Sequence, residues 1–147
     1  MSFPVRRITL RVFVIGIVAL SAAQLVQPTV SHNPGTAKNN LLADPSLNPQ
    51  VRSILLRACA DCHSYQTRLP WYGRISPVSW LIVRHMDRGR EKLNFSEWPQ
   101  NSANEKQDIA DSVDKSEMPL PSYLLMHRQA RLTPADRKAI ARWADSQ

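Results

Sequence analysis

The sequence predicts an all-α domain of about a hundred residues, preceded by an amino-terminal hydrophobic segment. Three pairs of a capping residue and a proline are typical of helix starts, namely Asn48-Pro49, Ser76-Pro77 and Thr133-Pro134. Apolar residues after these pairs recur at helical spacing, and no segment shows the alternation of a strand. These observations predict short helices packed without a sheet.

Residues 1–27 differ in composition from the rest of the chain. A basic flank of Arg6, Arg7 and Arg11 precedes a long apolar run, and no acidic residue occurs before Asp44. This pattern is typical of an export signal or a membrane anchor, which is set aside from the fold. Because a positive flank favours the cytoplasmic side, the rest of the chain is predicted on the periplasmic side of a bacterial inner membrane.

Two fates of this segment are compatible with the sequence. Residues 8–26 can span the inner membrane as an uncleaved anchor if the Arg11 side chain extends to the cytoplasmic interface. Small residues at Ser21 and Ala23 suit a signal peptidase instead, which would cleave before Gln24. The anchor is the preferred interpretation.

Residues 28–47 are rich in proline, asparagine, serine and threonine and have no apolar period. This composition predicts a flexible tether. The domain itself is predicted to occupy residues 48–147.

The first helix of the domain is predicted to begin at Pro49 with Asn48 as its cap. Its apolar stripe follows the spacing i, i+3, i+4, i+7 and consists of Val51, Ile54, Leu55 and Ala58. The helix runs into the string Cys59-Ala60-Asp61-Cys62-His63, so its last turn and the following loop should present two thiols and an imidazole.

Three more helices are predicted after a loop over residues 64–75. One opens at Ser76-Pro77 with an apolar face of Val78, Leu81, Ile82 and His85. A polar helix from about Ala103 to Ser116 should face inward at Ile109 and Val113. The last helix starts at Thr133-Pro134, with an expected buried face of Ala135, Ala139, Ile140 and Trp143.

The string at residues 59–63 carries most of the chemistry. C-x-x-C-H is the spacing of a covalent attachment site for c-type haem, because two thiols form thioethers with the two vinyl groups of one porphyrin. The adjacent imidazole then lies under the iron as its proximal ligand. The pattern predicts haem c attached at Cys59 and Cys62, with His63 as an iron ligand.

Three other uses of the cysteine pair fit the sequence less well. A thioredoxin-like dithiol would need a βαβ context, which the surrounding sequence lacks. Zinc would need four ligands, and a second ligand pair at short spacing is missing. A disulfide between Cys59 and Cys62, the only two cysteines, would leave His63 unexplained.

The second axial ligand of the iron is predicted to be Met118. Haem iron in electron-transfer proteins commonly takes Met or His at this position. Met118 lies between predicted helices in a loop whose prolines, Pro119 and Pro121, restrict its freedom and lower the entropy lost on ligation. The alternatives are His127, His85, an open iron or a gap-filling role for Met118 in the core.

Charge and composition exclude some classes of function. The net charge is +7, but the basic residues are scattered and no nucleic-acid motif accompanies them, so no nucleic acid is expected as a partner. A mild positive excess suits anionic lipid or an acidic redox partner better. Nothing resembles a catalytic constellation, so the protein is not expected to be an enzyme.

The chain resembles a bacterial family of haem-binding domain proteins with one amino-terminal hydrophobic segment and a single C-x-x-C-H. The strings that carry the resemblance are Cys59–Ser64, Gln66–Tyr72, Ile75–Leu81, Gly89–Glu91, Leu93–Trp98, Glu117–Tyr123, and His127 ahead of Arg131–Thr133. The resemblance implies a cytochrome-c-like helical domain that binds haem in the periplasm, at a membrane. Met118 matches the family's Met-Pro position, whereas Arg128 stands where a proline is expected.

The predicted function is one-electron transfer in the periplasm. A haem held by His63 and Met118 has both axial positions filled and can exchange an electron with little rearrangement. The redox partner proteins are not identified by the sequence. The alternative is a haem-based sensor, a small-ligand-binding protein or a weak peroxidase with an open or displaceable sixth position.

Overall fold

The computed structural model describes residues 3–30 and 39–146, and these residues form helices and turns without a strand. The α-helices are α1 (Phe3–Ala23), α2 (Pro49–Ala58), α3 (Ala60–His63), α4 (Val78–Lys92), α5 (Ala103–Asp114), α6 (Pro121–Leu124) and α7 (Pro134–Asp145). Short 3₁₀ turns cover Leu41–Ala43, Trp71–Arg74, Phe95–Glu97 and Arg128–Ala130. The all-helical prediction is therefore confirmed for the described part of the chain.

The chain divides into two units. The amino-terminal unit comprises Met1–Val30 and Leu69–His85, and the core unit comprises Ser31–Arg68 and Met86–Gln147. Helix α4 starts in the first unit and ends in the second. The predicted haem-attachment string lies in the core unit.

The core unit is built on helices α2, α5 and α7, with α2 and α5 both packed against α7. The side chain of Asn48 caps α2 by accepting hydrogen bonds from the backbone N–H of Gln50 (2.8 Å) and of Val51 (3.4 Å). The four residues of the predicted stripe of α2 are all buried. Burying one such aliphatic side chain contributes about 1.5–3 kcal/mol, so this stripe sets the position of the string that follows it.

Helix α7 begins at the predicted Thr133-Pro134 start, where the structure shows a capping box. The Thr133 side chain accepts from the backbone N–H of Asp136, and the Asp136 carboxylate accepts from the Thr133 backbone N–H. Arg57 of α2 pairs with the same carboxylate at 2.6 Å and joins the two helices. Ala139 and Ile140 are buried and Trp143 partly so, whereas Ala135 is exposed because it lies in the first turn, on the solvent side.

The predicted tether over residues 28–47 is wrong for its last part. Leu41, Leu42 and Leu47 are buried in the same cluster as the stripe of α2. The backbone N–H of Trp98 donates to the carbonyl of Asn39 at 2.7 Å, which ties this segment to the turn at Phe95–Glu97. Apolar burial therefore outweighs the polar composition from residue 39 onward, while residues 31–38 lie outside the described residues.

The predicted apolar face of α4 is exposed rather than packed in the core, except at Ile82, which is partly buried. Val78 and Leu81 are 42% and 57% exposed, and His85 is exposed as well. The buried positions are instead Ser79, Val83, Met86 and Arg90. Ser79 and Arg90 are polar, but both are hydrogen-bonded, Ser79 to the Ser76 hydroxyl at 3.2 Å and Arg90 to the Ser64 carbonyl. Apolar periodicity alone therefore does not identify the buried side of this helix.

Helix α1 spans most of the predicted hydrophobic segment, and its apolar side chains from Ile8 to Leu20 are exposed. Among residues 3–30 and 39–146, no helix combines the length and apolar composition needed to cross a membrane.

Candidate haem site

The end of α2 and the single turn of α3 bring Cys59, Cys62 and His63 together. Cys59 ends α2, where its N–H donates to the carbonyl of Leu55 at 3.0 Å, and it also caps the start of α3. The backbone N–H groups of Cys62 and His63 both donate to the Cys59 carbonyl, at 3.2 and 3.0 Å. All three side chains therefore project from one helical turn, as the spacing predicts.

His63 is oriented by a backbone carbonyl from the end of α4. Its Nδ1–H donates to the carbonyl oxygen of Leu93 at 3.0 Å, and this bond assigns the proton to Nδ1 and the lone pair to Nε2. A histidine that binds a metal usually donates its other nitrogen in this manner. Burial lowers the pKa of His63, opposed by hydrogen bonds to the carbonyls of Leu93 and Gly89, so the neutral ring that can ligate a metal is favoured.

Cys59 and Cys62 are free thiols that are partly buried. Burial, together with the neighbouring thiolate, raises the pKa of Cys59 to about 12. Burial, together with the Asp61 carboxylate, raises the pKa of Cys62 to about 11. Both groups are protonated thiols at neutral pH and are therefore poor nucleophiles toward stray disulfides.

The carboxyl-terminal end of α4 packs directly on this turn. A Cβ placed on Gly89 would lie 2.8 Å from the carbonyl oxygen of Cys62 and 3.5 Å from the Cys62 Cβ. Only glycine leaves room for this approach, which also brings the Leu93 carbonyl to His63 one turn later. The sequence places Gly89 in one of the strings that resemble the family but assigns it no role, although a glycine inside a helix is a signal because it costs about 1 kcal/mol relative to alanine.

Arg90 contacts the segment that follows the C-x-x-C-H motif, residues 64–67. Its Nε–H donates to the Ser64 carbonyl at 3.0 Å and an Nη2–H donates to the Thr67 hydroxyl at 2.8 Å. Its guanidinium also lies over the Tyr65 ring, 5.1 Å from the centroid. A buried charge must be hydrogen-bonded to be tolerated, and these partners satisfy that need while they fix the loop. This role of Arg90 was missed because its partners are mostly backbone and ring atoms.

Tyr123 connects the motif to the segment that follows Met118. Its hydroxyl donates to the Asp61 carboxylate at 2.7 Å, and its ring stacks on His127 with centroids 3.9 Å apart. Burial raises the pKa of Tyr123, and the hydrogen bond to Asp61 raises it further, so the phenol stays protonated. The structure thus brings His127 to the neighbourhood of the motif through Tyr123.

Met118 lies in the turn after α5 and is partly buried. Its backbone N–H donates to the carbonyl of Ser112 at 3.2 Å, so the end of α5 positions it. The alternative ligand His85 is exposed, and Met126, another methionine in this part of the chain, is 61% exposed. Ligation by Met118 stays a prediction.

The fold and the site define a small helical protein in which one turn presents two free thiols and an oriented neutral imidazole, a donor set that fits haem. The model of the haem-binding domain family matches residues 18–146, so the chain belongs to that family, as the sequence segments that resemble it predict. This membership supports a haem cofactor. Comparisons with curated proteins and with solved structures returned no match.

Proposed function

We propose that the protein carries a covalent c-type haem and transfers single electrons. Cys59 and Cys62 would hold the porphyrin by thioethers, and His63, through Nε2, and Met118 would hold the iron. The observation that carries the proposal is the hydrogen bond from His63 Nδ1 to the Leu93 carbonyl, beside two free thiols. This bond leaves Nε2 for the metal and holds the ring in one orientation.

The bound haem supplies the redox chemistry, and the chain supplies binding and tuning. Burial of the His63 ring, in contact with Phe95 at 6.0 Å between centroids, limits water near the proximal side. A ligand set that does not change on reduction keeps the reorganisation small, which suits a carrier rather than an enzyme. The electron donors and acceptors are proteins on the same side of the membrane.

The proposed location is the periplasmic side of a bacterial inner membrane. The basic flank at Arg6, Arg7 and Arg11 and the apolar run after it support this orientation. The segment over residues 8–26 either anchors the protein there or is removed after export.

Covalent attachment is tested by haem staining of the denatured full chain after expression with a cytochrome c maturation system. We expect colour to migrate with the polypeptide, and we expect C59S/C62S to lose it. The exposed Ser53→Ala serves as the control and should stain like the wild type. A colourless wild-type band from exported protein would contradict the proposal.

The second ligand is tested by comparing Met118→Ala with Met126→Ala, a methionine whose side chain is 61% exposed. We expect M118A to keep its covalent haem, to lose the sulfur-to-iron charge-transfer band of the oxidised form and to have a lower reduction potential. M126A should leave both properties unchanged. An unaltered spectrum in M118A would show that Met118 is not a ligand.

A second candidate function is a haem sensor or a small-ligand-binding protein with a displaceable sixth ligand. A cavity of about 670 Å³ beside the motif, lined by Ala60, Asp61, His127, Arg57 and Arg68 but not by His63 or Met118, would have to admit the small ligand. A high-spin oxidised spectrum without the charge-transfer band would support this candidate over electron transfer.

A further inference from the structure

The amino-terminal unit exposes an apolar surface on the segment that leads into α4. This 71–81 surface consists of Trp71, Ile75, Val78 and Leu81, whose exposed fractions are 73%, 43%, 42% and 57%. Trp71 lies in the turn Trp71–Arg74, Ile75 directly follows it, and Val78 and Leu81 lie in the first turn of α4. Exposed apolar residues grouped in this manner mark an interaction surface more often than isolated ones do.

Hydrogen bonds join this segment to the end of α1. The backbone N–H of Ser76 donates to Gln24 Oε1 at 3.1 Å, and Gln24 Nε2 donates back to the Ser76 carbonyl at 2.9 Å. The indole Nε1–H of Trp80 donates to the Val26 carbonyl at 2.7 Å. The 71–81 surface is therefore held beside the carboxyl-terminal end of a helix whose own apolar side chains are exposed.

The charge of the amino-terminal unit has a single sign. Its sequence contains five arginines and no acidic residue, and two of the five, Arg74 and Arg84, belong to the segment around the 71–81 surface. Arg6, Arg7 and Arg11 belong to the flank assigned to the cytoplasmic side, so the charge available to the 71–81 surface is the +2 of Arg74 and Arg84. A basic residue near an anionic membrane surface gains about 1 kcal/mol.

We propose that the 71–81 surface docks on an anionic lipid bilayer. Trp71 and Leu81 enter the interfacial layer, where tryptophan is favoured, and Arg74 and Arg84 contact lipid phosphates. Residues 69–85 contain Arg74 and Arg84 and no acidic residue, so a second copy of the chain would set like charges against this surface, and the charge favours lipid as the occupant. The inference rests on the membrane location proposed above and is independent of haem attachment.

The test uses the full-length holoprotein in vesicles of phosphatidylcholine and phosphatidylglycerol, with and without brominated acyl chains. The measured quantity is the ratio of tryptophan fluorescence in the two vesicle types, in which quenching by haem cancels. We expect bromine to quench the wild type and Trp71→Phe to reduce that quenching about twofold, since Trp71 is the most exposed tryptophan. Trp143→Phe, in the core unit, is the matched control and should not reduce it.

Charge reversal separates lipid docking from nonspecific contact. We expect R74E/R84E to lose the quenching that depends on Trp71, and the exposed Arg88→Glu, on the same helix but in the core unit, to keep it. Equal quenching of the wild type in vesicles of phosphatidylcholine alone would overturn the anionic preference. Absence of quenching at Trp71, or a dimer in detergent that shields Trp71 from acrylamide, would overturn lipid docking altogether.

Haem content of the same samples keeps the two proposals distinguishable. A wild-type sample with full haem content and no bromine quenching contradicts lipid docking only. Normal quenching in a wild type without covalent haem contradicts the proposed function only.

Discussion

Replacing Gly89 by alanine tests whether the end of α4 must touch the turn that carries Cys59, Cys62 and His63. The added Cβ would lie 2.8 Å from the Cys62 carbonyl oxygen, which is backbone and cannot rotate away. Overpacking of this kind costs roughly 1–3 kcal/mol, and an approach this close places it near the upper end. Alanine also gains about 1 kcal/mol over glycine as a helix former, so we expect a net loss of about 1–2 kcal/mol.

The sign of the change in unfolding free energy of G89A decides whether the close approach exists. If no close approach existed, G89A would stabilise the protein by about 1 kcal/mol, because Gly89 lies inside the helix Val78–Lys92. The measurement is the free energy of unfolding of the holoprotein in urea, followed by circular dichroism and by the Soret band. Arg88→Ala, at an exposed position of the same helix, is the control and should change stability by less than about 0.5 kcal/mol.

The Soret band adds a local readout at the motif. Displacement of the Cys62 carbonyl would move the turn that carries His63, so we expect G89A to shift the Soret spectrum or to lower the yield of holoprotein. A variant that is more stable than the wild type, with an unchanged spectrum, would refute the close packing.

Three further predictions concern residues that brace the same unit. Arg90→Lys cannot reproduce the two hydrogen bonds of the guanidinium, so urea unfolding should show a loss of about 2 kcal/mol; a loss under 0.5 kcal/mol would contradict the bracing role. Tyr123→Phe removes the donor to Asp61 and should cost about 1 kcal/mol and weaken the charge-transfer band of the oxidised haem; wild-type stability would disprove this link. Partial burial alone would raise the pKa of Asp136, but hydrogen bonds from Arg57 and Thr133 outweigh it and lower the pKa. The stability that Asp136 contributes is therefore present above the ordinary carboxyl pKa of about 4 and is lost as the pH falls below it, so the wild type should lose its advantage over D136N in acid; a pH-independent difference would show that the pairing is not ionic.

Capping signals within a few residues of the helix start predicted helices α2 and α7. Asn48 and Pro49 mark the start of α2, and Thr133 and Asp136 mark the start of α7, because a cap needs only residues that are adjacent in the chain. The spacing of the thiols and His63 likewise predicted their convergence, since one helical turn brings them together.

Other parts of the site depend on contacts between distant segments. The acceptor of His63 is the backbone carbonyl of Leu93, and every residue has such a carbonyl, so no side-chain pattern identifies it. The link from Asp61 to Tyr123 spans 62 positions and forms only after the helices pack. Burial of Leu41 and Leu42 also requires a partner surface, which their polar neighbours in the sequence do not indicate.

The stripe of Val78 and Leu81 shows what periodicity does and does not determine. Its spacing correctly indicates one apolar side of a helix, because the free energy of removing apolar surface from water does not depend on what replaces the water. A protein core and a lipid interface satisfy that pattern equally, so the pattern alone cannot distinguish them. The additional facts that do are the exposure of both residues, the neighbouring arginines and the hydrogen bonds to the end of α1. These facts favour lipid over a protein core, and the quenching of Trp71 by brominated chains decides between them.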